Sequence, residues 1–202
     1  MRFVKRIDVI VLCVGTLLTS CASYRATDLS ALDPAYVNKL EDTEGLTVGC
    51  KEFSRRDCET YLDRDVRRKG YHAVQITFQN SSEKSYKFST NDISLPCASS
   101  EDVAAMVHTS TFGRVMGYGL GSLVFAPLLI PAIVDGIKSS AANAALDMDF
   151  ARKSNGSFTI DPYSFKKTVV FIPHEDFASS FDVTLTDQAT GELKKVRLRA
   201  AR

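Results

Sequence analysis

The feature that most constrains this chain is an uncharged run of twenty residues, Val115 to Val134. At a rise of about 1.5 Å per residue, a helix of this length would cross a bilayer core of roughly 30 Å. Pro127 and Pro131 interrupt the run, and each removes a backbone donor and clashes with the preceding helical turn. The sequence therefore predicts a bend or hairpin near Ala126 to Ala132 in place of one straight helix.

A glycine repeat every four residues leads into the run, at Gly113, Gly117 and Gly121. On a helix, these glycines would form a face without side chains, which another backbone can approach closely. Ala141 and Ala145 would give a second helix, Asp135 to Lys153, a similarly smooth face. We therefore expect residues 99–155 to form a helical hairpin whose small-residue faces pack together or mediate oligomerisation.

The first twenty-two residues have the pattern of a signal peptide. A basic start, Met1 to Arg6, precedes an apolar stretch, Val9 to Leu18, that is too short to span a membrane. Small residues then lead to Cys21 in the sequence Leu18-Thr19-Ser20-Cys21. This segment resembles the lipobox of bacterial lipoproteins, in which the invariant cysteine takes diacylglycerol on its sulfur and becomes the acylated first residue of the mature protein.

The lipobox resemblance implies that residues 1–20 are removed and that lipidated Cys21 anchors the chain to a membrane. Several acyl chains, at about 0.8 kcal/mol per buried CH2, bind stably without a spanning helix. In that family, an aspartate directly after the cysteine often retains the protein at the inner membrane. Ala22 and Ser23 follow here, so the resemblance favours the outer membrane, facing the periplasm, in a Gram-negative source. It covers residues 1–22 and implies nothing about the family of the mature domain.

The cysteines are expected to be sorted by this processing. Cys50, Cys58 and Cys97 remain in an oxidising compartment after the signal is removed and Cys21 is lipidated. One disulfide and one free thiol are expected, with Cys50–Cys58 as the local choice and a pairing with Cys97 as the alternative. The isolated thiols lack the tight spacing of a zinc site, so no metal or other cofactor is expected.

The mature chain alternates short apolar strands with polar turns. The clearest strand has Val74, Ile76 and Phe78 on one face. Further strands are predicted at 46–50, 86–88, 93–95, 158–160, 169–172, 181–185 and 196–198. The run 169–172 is apolar on both faces, as in a central strand covered on both sides. The pattern predicts a mainly β fold with inserted α: an antiparallel, immunoglobulin-like β-sandwich of seven or eight strands, interrupted by the glycine-zipper hairpin.

These patterns divide the chain into four predicted parts: the signal peptide 1–20, a lipidated tether 21–44, the β-sandwich 45–98 and 156–202, and the insertion 99–155. The sandwich includes a helix at about 54–68, with Ser54 as N-cap and a stop at Gly70. The helix carries a basic cluster, Arg55, Arg56, Arg64, Arg67, Arg68 and Lys69. A solvated face is the main interpretation of this cluster, with docking to anionic headgroups or a partner as the alternative.

Residues that carry catalysis do not form a convincing set in the sequence. His72, His108 and His174 are scattered over a predicted strand, helix and loop, and Asp147 and Asp149 are expected to be solvated because residues two apart point to different helix faces. The net charge of +1 changes little when the signal is removed, which argues against a nucleic-acid partner. We therefore expect a protein that is not an enzyme.

The sequence as a whole predicts a lipid-anchored lipoprotein of the bacterial envelope with a structural or interaction role. The hairpin either packs over the sandwich or a sister subunit, or enters a bilayer while its glycines assemble several copies, or binds a lipid or an envelope partner. The partners are then the membrane at Cys21, another copy of the chain, or an envelope protein. The alternative is a carrier or enzyme acting on a hydrophobic ligand in the periplasm, which a closed pocket near His72 or His174 would favour.

Overall fold

The structure is a computed structural model that describes residues 23–33, 36–38, 45–109 and 129–200. It consists mainly of two antiparallel β-sheets with a few helices, which confirms the predicted mainly β class. The chain divides into two compact units. One comprises Ala26–Val107 and Asp147–Arg202 and holds both sheets, and the other includes the helical residues 129–146. The division falls inside the predicted insertion 99–155.

Each sheet contains four strands. The first has the order β1-β2-β3-β6, with β1 Val37–Asn38, β2 Leu46–Glu52, β3 Tyr71–Asn80 and β6 Phe165–Pro173. The second has the order β5-β4-β7-β8, with β5 Ser157–Ile160, β4 Tyr86–Ser89, β7 Ser180–Asp187 and β8 Leu193–Arg199. All neighbouring strands in both sheets pair antiparallel.

Side chains from both sheets form one hydrophobic cluster. The first sheet contributes the predicted face of β3, and the second contributes alternate residues of β4, β7 and β8. The fully buried aromatic rings in this cluster include Phe78 and Phe88, whose centroids lie 5.0 Å apart. Such burial of alternate residues removes apolar surface from water and fixes the register of each strand.

The first sheet is also covered on its outer face. Ala73, Gln75 and Thr77, which point away from the shared cluster, are buried as well. The Phe171 ring on the same face stacks on Phe150 at a centroid distance of 5.5 Å. This explains why residues 169–172 are apolar on both faces. The expectation of a central strand was wrong, however, because β6 is the last strand of its sheet and only an isolated bridge from Ala98 to Phe171 continues beyond it.

The predicted helix at 54–68 is two shorter elements. Helix α1, Arg55–Tyr61, begins with a capping box in which the side chains and backbones of Ser54 and Asp57 exchange hydrogen bonds. Asp63 then adopts a positive φ of 51°, which interrupts the helical path. A 3-10 turn, Val66–Lys69, follows and ends at Gly70 as predicted.

Two further described helices lie between β4 and β5 in the sequence. Helix α2 is Ser100–Val107, and helix α3 is Leu129–Lys153. Pro131 and Ala132, within the segment where a bend was predicted, are helical residues of α3. The described helices do not combine the length and hydropathy of a membrane span. The short strand predicted at 93–95 is reduced to a single bridge from Ile93 to Val183, since a 3-10 turn precedes it and Pro96 follows it.

Candidate functional site

The residues predicted for lipidation and for the glycine face are Cys21, Gly113, Gly117 and Gly121. They lie outside the described residues, and their roles stay predictions. Ala141 and Ala145 are described and are exposed on α3, whereas Ala142 and Leu146 on the adjacent face are buried. The two alanines therefore leave a small-residue surface accessible in this structure, and their packing against the glycines stays a prediction.

The first residues after α2 contact α3. The amide of Thr109 donates to the side-chain oxygen of Asn143 at 3.0 Å, and the Asn143 side-chain amide donates to the Thr109 carbonyl at 3.3 Å. A side chain that satisfies both backbone groups of one residue fixes that residue in register. The start and the end of residues 108–146 are thereby held side by side, as in a hairpin.

Cys50, Cys58 and Cys97 are free thiols in the structure, so the Cys50–Cys58 disulfide favoured by the sequence is not formed in it. Cys50 points from β2 into the cluster shared by the two sheets, whereas Cys58 is buried on α1 outside that cluster. Burial raises the pKa of both thiols to about 12 and that of Cys97 to about 11. Thiols with such pKa values are poor nucleophiles and metal ligands at neutral pH.

The segment from Thr27 to Ser30, here called the strap, is bound to the outer face of the first sheet and its helices. The Thr27 amide and hydroxyl both donate to the Thr60 carbonyl, at 2.9 and 3.1 Å. The Gln75 side-chain amide donates to the Ser30 carbonyl at 2.8 Å, and the Lys167 ammonium donates to the Leu29 carbonyl. Leu29 itself is buried. The strap lies within the predicted tether 21–44. Unlike a free tether, the strap is bound to the first sheet and its helices from Thr27 to Ser30.

Lys153, the last residue of α3, holds the start of the strap. Its ammonium group donates to the carbonyls of Thr27 and Tyr61, at 2.7 and 2.6 Å, and to the Asp149 carboxylate at 2.5 Å. Its side chain is only 4% exposed. A buried ammonium that fills all three donor positions is well compensated for the loss of water. The group therefore joins three separate pieces of the chain at one point.

Arg152, beside Lys153, binds the strap from the exposed side of α3. Arg152 contacts the carboxylates of Asp28 and Asp149, at 2.6 and 2.7 Å. These carboxylates hold the pKa of the Arg152 guanidinium above its usual value. Asp149 was expected to be solvated, and the structure corrects this: its carboxylate is mostly buried between Arg152 and Lys153. A spacing of three and four residues on a helix brings these side chains together.

The basic cluster on α1 and the following turn is partly neutralised by neighbouring acids. Arg55 lies 2.8 Å from Glu59 and 3.8 Å from Asp65, and Arg68 lies 3.2 Å from Asp65. Ion pairs of this exposed kind contribute little to stability. The exposed Arg55 and Arg68 agree with the interpretation of a solvated face. Arg64 does not, because its side chain is only 17% exposed and lies 2.7 Å from the Asp63 carboxylate.

An imidazole and a carboxylate are buried together at one end of the shared cluster. The Nδ1 atom of His72 lies 2.7 Å from the Oε1 atom of Glu52, and both side chains are almost inaccessible. The His72 ring stacks against Phe177 and His174, at centroid distances of 3.9 and 4.4 Å. His72 and His174 line none of the four cavities described in the structure. The arrangement closes the end of the cluster with hydrogen-bonded and stacked rings.

No protein-family model matches this chain, and none of the curated proteins matches its sequence. Within the described ranges, no group of three or more histidines, cysteines or carboxylates is placed to hold a metal ion. The site is therefore defined by this chain's own geometry.

Sequence reasoning missed the strap and the lysines that bind it. Lys153 and Lys167 look like ordinary surface lysines, and Thr27 to Ser30 has the polar composition of a linker. One signal was present: Asp149 and Lys153 have the spacing of an intrahelical ion pair near the end of a helix. The partner carbonyls could not be found this way, because backbone acceptors carry no sequence signature.

Proposed function

We propose that the chain is a lipid-anchored protein of the bacterial envelope, held at Cys21, that acts through interactions with other molecules. The compact unit with both sheets, Ala26–Val107 and Asp147–Arg202, is here called the β module. The anchor holds the β module close to the membrane surface. The anchor is inferred from the resemblance of Leu18-Thr19-Ser20-Cys21 to a lipobox. The outer membrane, facing the periplasm, is the proposed location because Ala22 and Ser23 follow the cysteine. The role is structural, in partner docking or membrane contact.

The observation that carries this proposal is the docked strap. Only Ala22 to Ala26 separate Cys21 from the first strap residue, Thr27. At a maximum of about 3.5 Å per residue, the chain from Cys21 to Thr27 spans at most roughly 20 Å. A free tether from 21 to 44 would allow several times that reach. A lipidated Cys21 would therefore keep the β module at the headgroups.

The interaction role is assigned to the hairpin 99–155. The hydrogen bonds between Thr109 and Asn143 support a paired arrangement of its two arms. The exposure of Ala141 and Ala145 leaves a surface of small residues for close contact with another helix. We infer that the hairpin mediates self-association, docking to an envelope partner, or contact with the bilayer.

We also infer an immunoglobulin-like sandwich for the β module. The order β1-β2-β3-β6 against β5-β4-β7-β8 is that of a sandwich in which consecutive strands cross between two sheets. The cluster shared by the two sheets supports face-to-face packing. In the sequence, the hairpin then takes the place of the connection between β4 and β5.

Membrane fractionation of a Cys21→Ala variant tests the anchor. Wild-type protein and a Cys97→Ala control are expected in the membrane fraction, where both incorporate labelled fatty acid. The Cys21→Ala variant is expected to lose the label and to appear in the soluble periplasmic fraction. Labelled fatty acid on the Cys21→Ala variant would contradict lipidation at this residue.

The hairpin's role is tested separately. Replacing Gly117 and Gly121 with Leu should abolish crosslinked oligomers or partner complexes. Met148→Leu is the control, because Met148 is exposed and lies outside the glycine face. Unchanged crosslinking in the glycine variant would refute the assembly role. Complete release of the Cys21→Ala variant from membranes would count against insertion of the hairpin into a bilayer and leave partner docking as its role.

A further inference from the structure

A cavity of about 440 Å³ lies at the end of the first sheet where β3 ends and β6 begins. Its lining consists of Gln79, Asn80, Ser81, Tyr163, Ser164 and Phe165. The volume falls within the range of roughly 300–1,000 Å³ that is typical of small-molecule sites. None of these six residues belongs to the hairpin 99–155 or to the lipidated segment, so binding in the cavity can be tested independently of the function proposed above.

Two aromatic rings form the apolar walls of the cavity. Tyr163 is 69% exposed and Phe165 is 48% exposed, although large aromatic side chains usually contribute to a core. Two exposed rings beside one cavity offer flat apolar surfaces for stacking. The C–H face of a sugar ring is flat and weakly apolar, and it matches such a surface.

The rest of the lining is polar and uncharged. Gln79 is exposed and pairs across the strands with Phe165, so the amide and the ring lie side by side. Ser81 adds a hydroxyl group, and the Ser164 hydroxyl, which donates to the Asp161 carbonyl at 2.6 Å, adds an acceptor. None of the six lining residues carries a charge. Neutral donors and acceptors suit a ligand rich in hydroxyl or acetamido groups, whereas a phosphate or carboxylate would find no cation in the lining.

The walls of the cavity are held in place before any ligand binds. The buried Asn80 donates to the carbonyls of Lys84 and Asp161, at 2.7 and 2.9 Å, and thereby joins the loop after β3 to the loop before β6. Tyr163 has a positive φ of 53°, an uncommon conformation for a residue with a bulky side chain. Backbone strain of this kind is often found at binding sites.

From this combination we propose that the Tyr163–Phe165 cavity binds a neutral saccharide. The rings stack on the sugar, and the side chains of Gln79, Ser81 and Ser164 bind its hydroxyl groups. A proline-rich peptide is the nearest competing class, because it also uses aromatic rings and neutral donors, but it requires an extended groove. A cavity of about 440 Å³ with six lining residues favours a ligand of one or two sugar units.

Ligand-observed NMR and calorimetry on the intact, membrane-anchored protein in lipid nanodiscs test this proposal. The probes are oligomers of N-acetylglucosamine, of β-linked glucose and of α-linked glucose. At least one is expected to bind, and Tyr163→Ala or Phe165→Ala should each weaken it about tenfold through loss of a stacking surface. Tyr163→Phe should retain most of the affinity, since the ring remains.

Leu193→Ala is the matched control, because Leu193 is 67% exposed on β8 and lies outside the cavity. Gln79→Ala provides a second test that does not touch the strained residue at position 163. Absence of binding by all three probe series would overturn the proposal, as would binding that the three cavity variants leave unchanged. Binding of a proline-rich peptide or of empty nanodiscs that depends on Tyr163, without saccharide binding, would also overturn it.

Discussion

Replacing Lys153 with Met tests whether the strap is fixed to the module by the buried ammonium. Met is similar in length and apolar, so the change removes the charge and its three hydrogen bonds with little change in packing. The carbonyls of Thr27 and Tyr61 would lose a charged donor, and Asp149 would keep its contact with Arg152. The strap would then still be bound by Thr60, Gln75 and Lys167 and by the ion pair between Arg152 and its own Asp28.

The expected cost follows from the burial of this group. Breaking a buried ion pair by removing one partner costs roughly 3–5 kcal/mol. Arg152 remains beside Asp149, which places the expected loss near the lower limit, at about 3 kcal/mol. For a domain of this size, such a loss lowers the melting temperature by about 6–12 °C.

Urea and thermal unfolding followed by circular dichroism measure this loss on the mature chain. Lys195→Met is the matched control: its ammonium is 3.0 Å from Asp182 but 67% exposed, so a change below about 0.5 kcal/mol is expected. Limited proteolysis should cleave the Lys153→Met variant between residues 22 and 33 faster than wild type. A loss below about 1 kcal/mol together with unchanged cleavage would refute the assigned role of Lys153.

Two further predictions concern thiols and acid. In denaturant without reductant, the mature lipidated protein should react with a thiol reagent at three cysteines, whereas a Cys50–Cys58 disulfide would leave only one reactive thiol. In the native state, Cys50 and Cys58 should be protected from the reagent because both are fully buried. Burial raises the pKa of Asp57, but hydrogen bonds from Ser54 and Lys51 outweigh it and hold this pKa below 3.8. Its stabilising contribution is therefore present at neutral pH and lost as the pH falls below about 4. Asp57→Asn should destabilise the protein by about 1 kcal/mol at pH 7, with the difference narrowing towards pH 3; a difference that stays constant with pH would contradict the capping and ion-pair role.

The strands of the β module could be predicted from the sequence because each buries alternate residues. Val74, Ile76 and Phe78 are fully buried, and in β8 the exposed Lys195, Arg197 and Arg199 alternate with the buried Val196 and Leu198. The place of β6 at the end of its sheet could not be predicted. A strand covered on both faces has the same pattern at the centre or at an edge, because the pattern reports burial and not neighbours.

Helical periodicity did not predict which face of α3 is buried. The stripe of α3 that includes Ala141, Ala145 and Met148 has helical spacing, yet these residues are exposed. The adjacent stripe of Ala142, Leu146 and Phe150 is buried instead. Alanine is neutral between the two faces, so spacing alone predicts the helix but not which side is covered. The large residues Leu146 and Phe150 carried the better signal.

The polar site was beyond sequence reasoning for a different reason. Lys153 bonds to carbonyls more than ninety residues away in the chain, and Gln75 bonds to one forty-five residues away. Such contacts depend on the fold as a whole. The exposed aromatic residues Tyr163 and Phe165 were equally inconspicuous, because a pattern of alternating residues does not show which loops meet at the end of a sheet.

Mass spectrometry of the N-terminal peptide of the mature protein tests the lipid anchor. The peptide is expected to begin at Cys21 and to carry a diacylglyceryl group on sulfur and an acyl chain on the new amino terminus. A mature peptide that retains residues 1–20, or one in which Cys21 has a free thiol, would contradict the lipid anchor and with it the placement of the β module at the membrane.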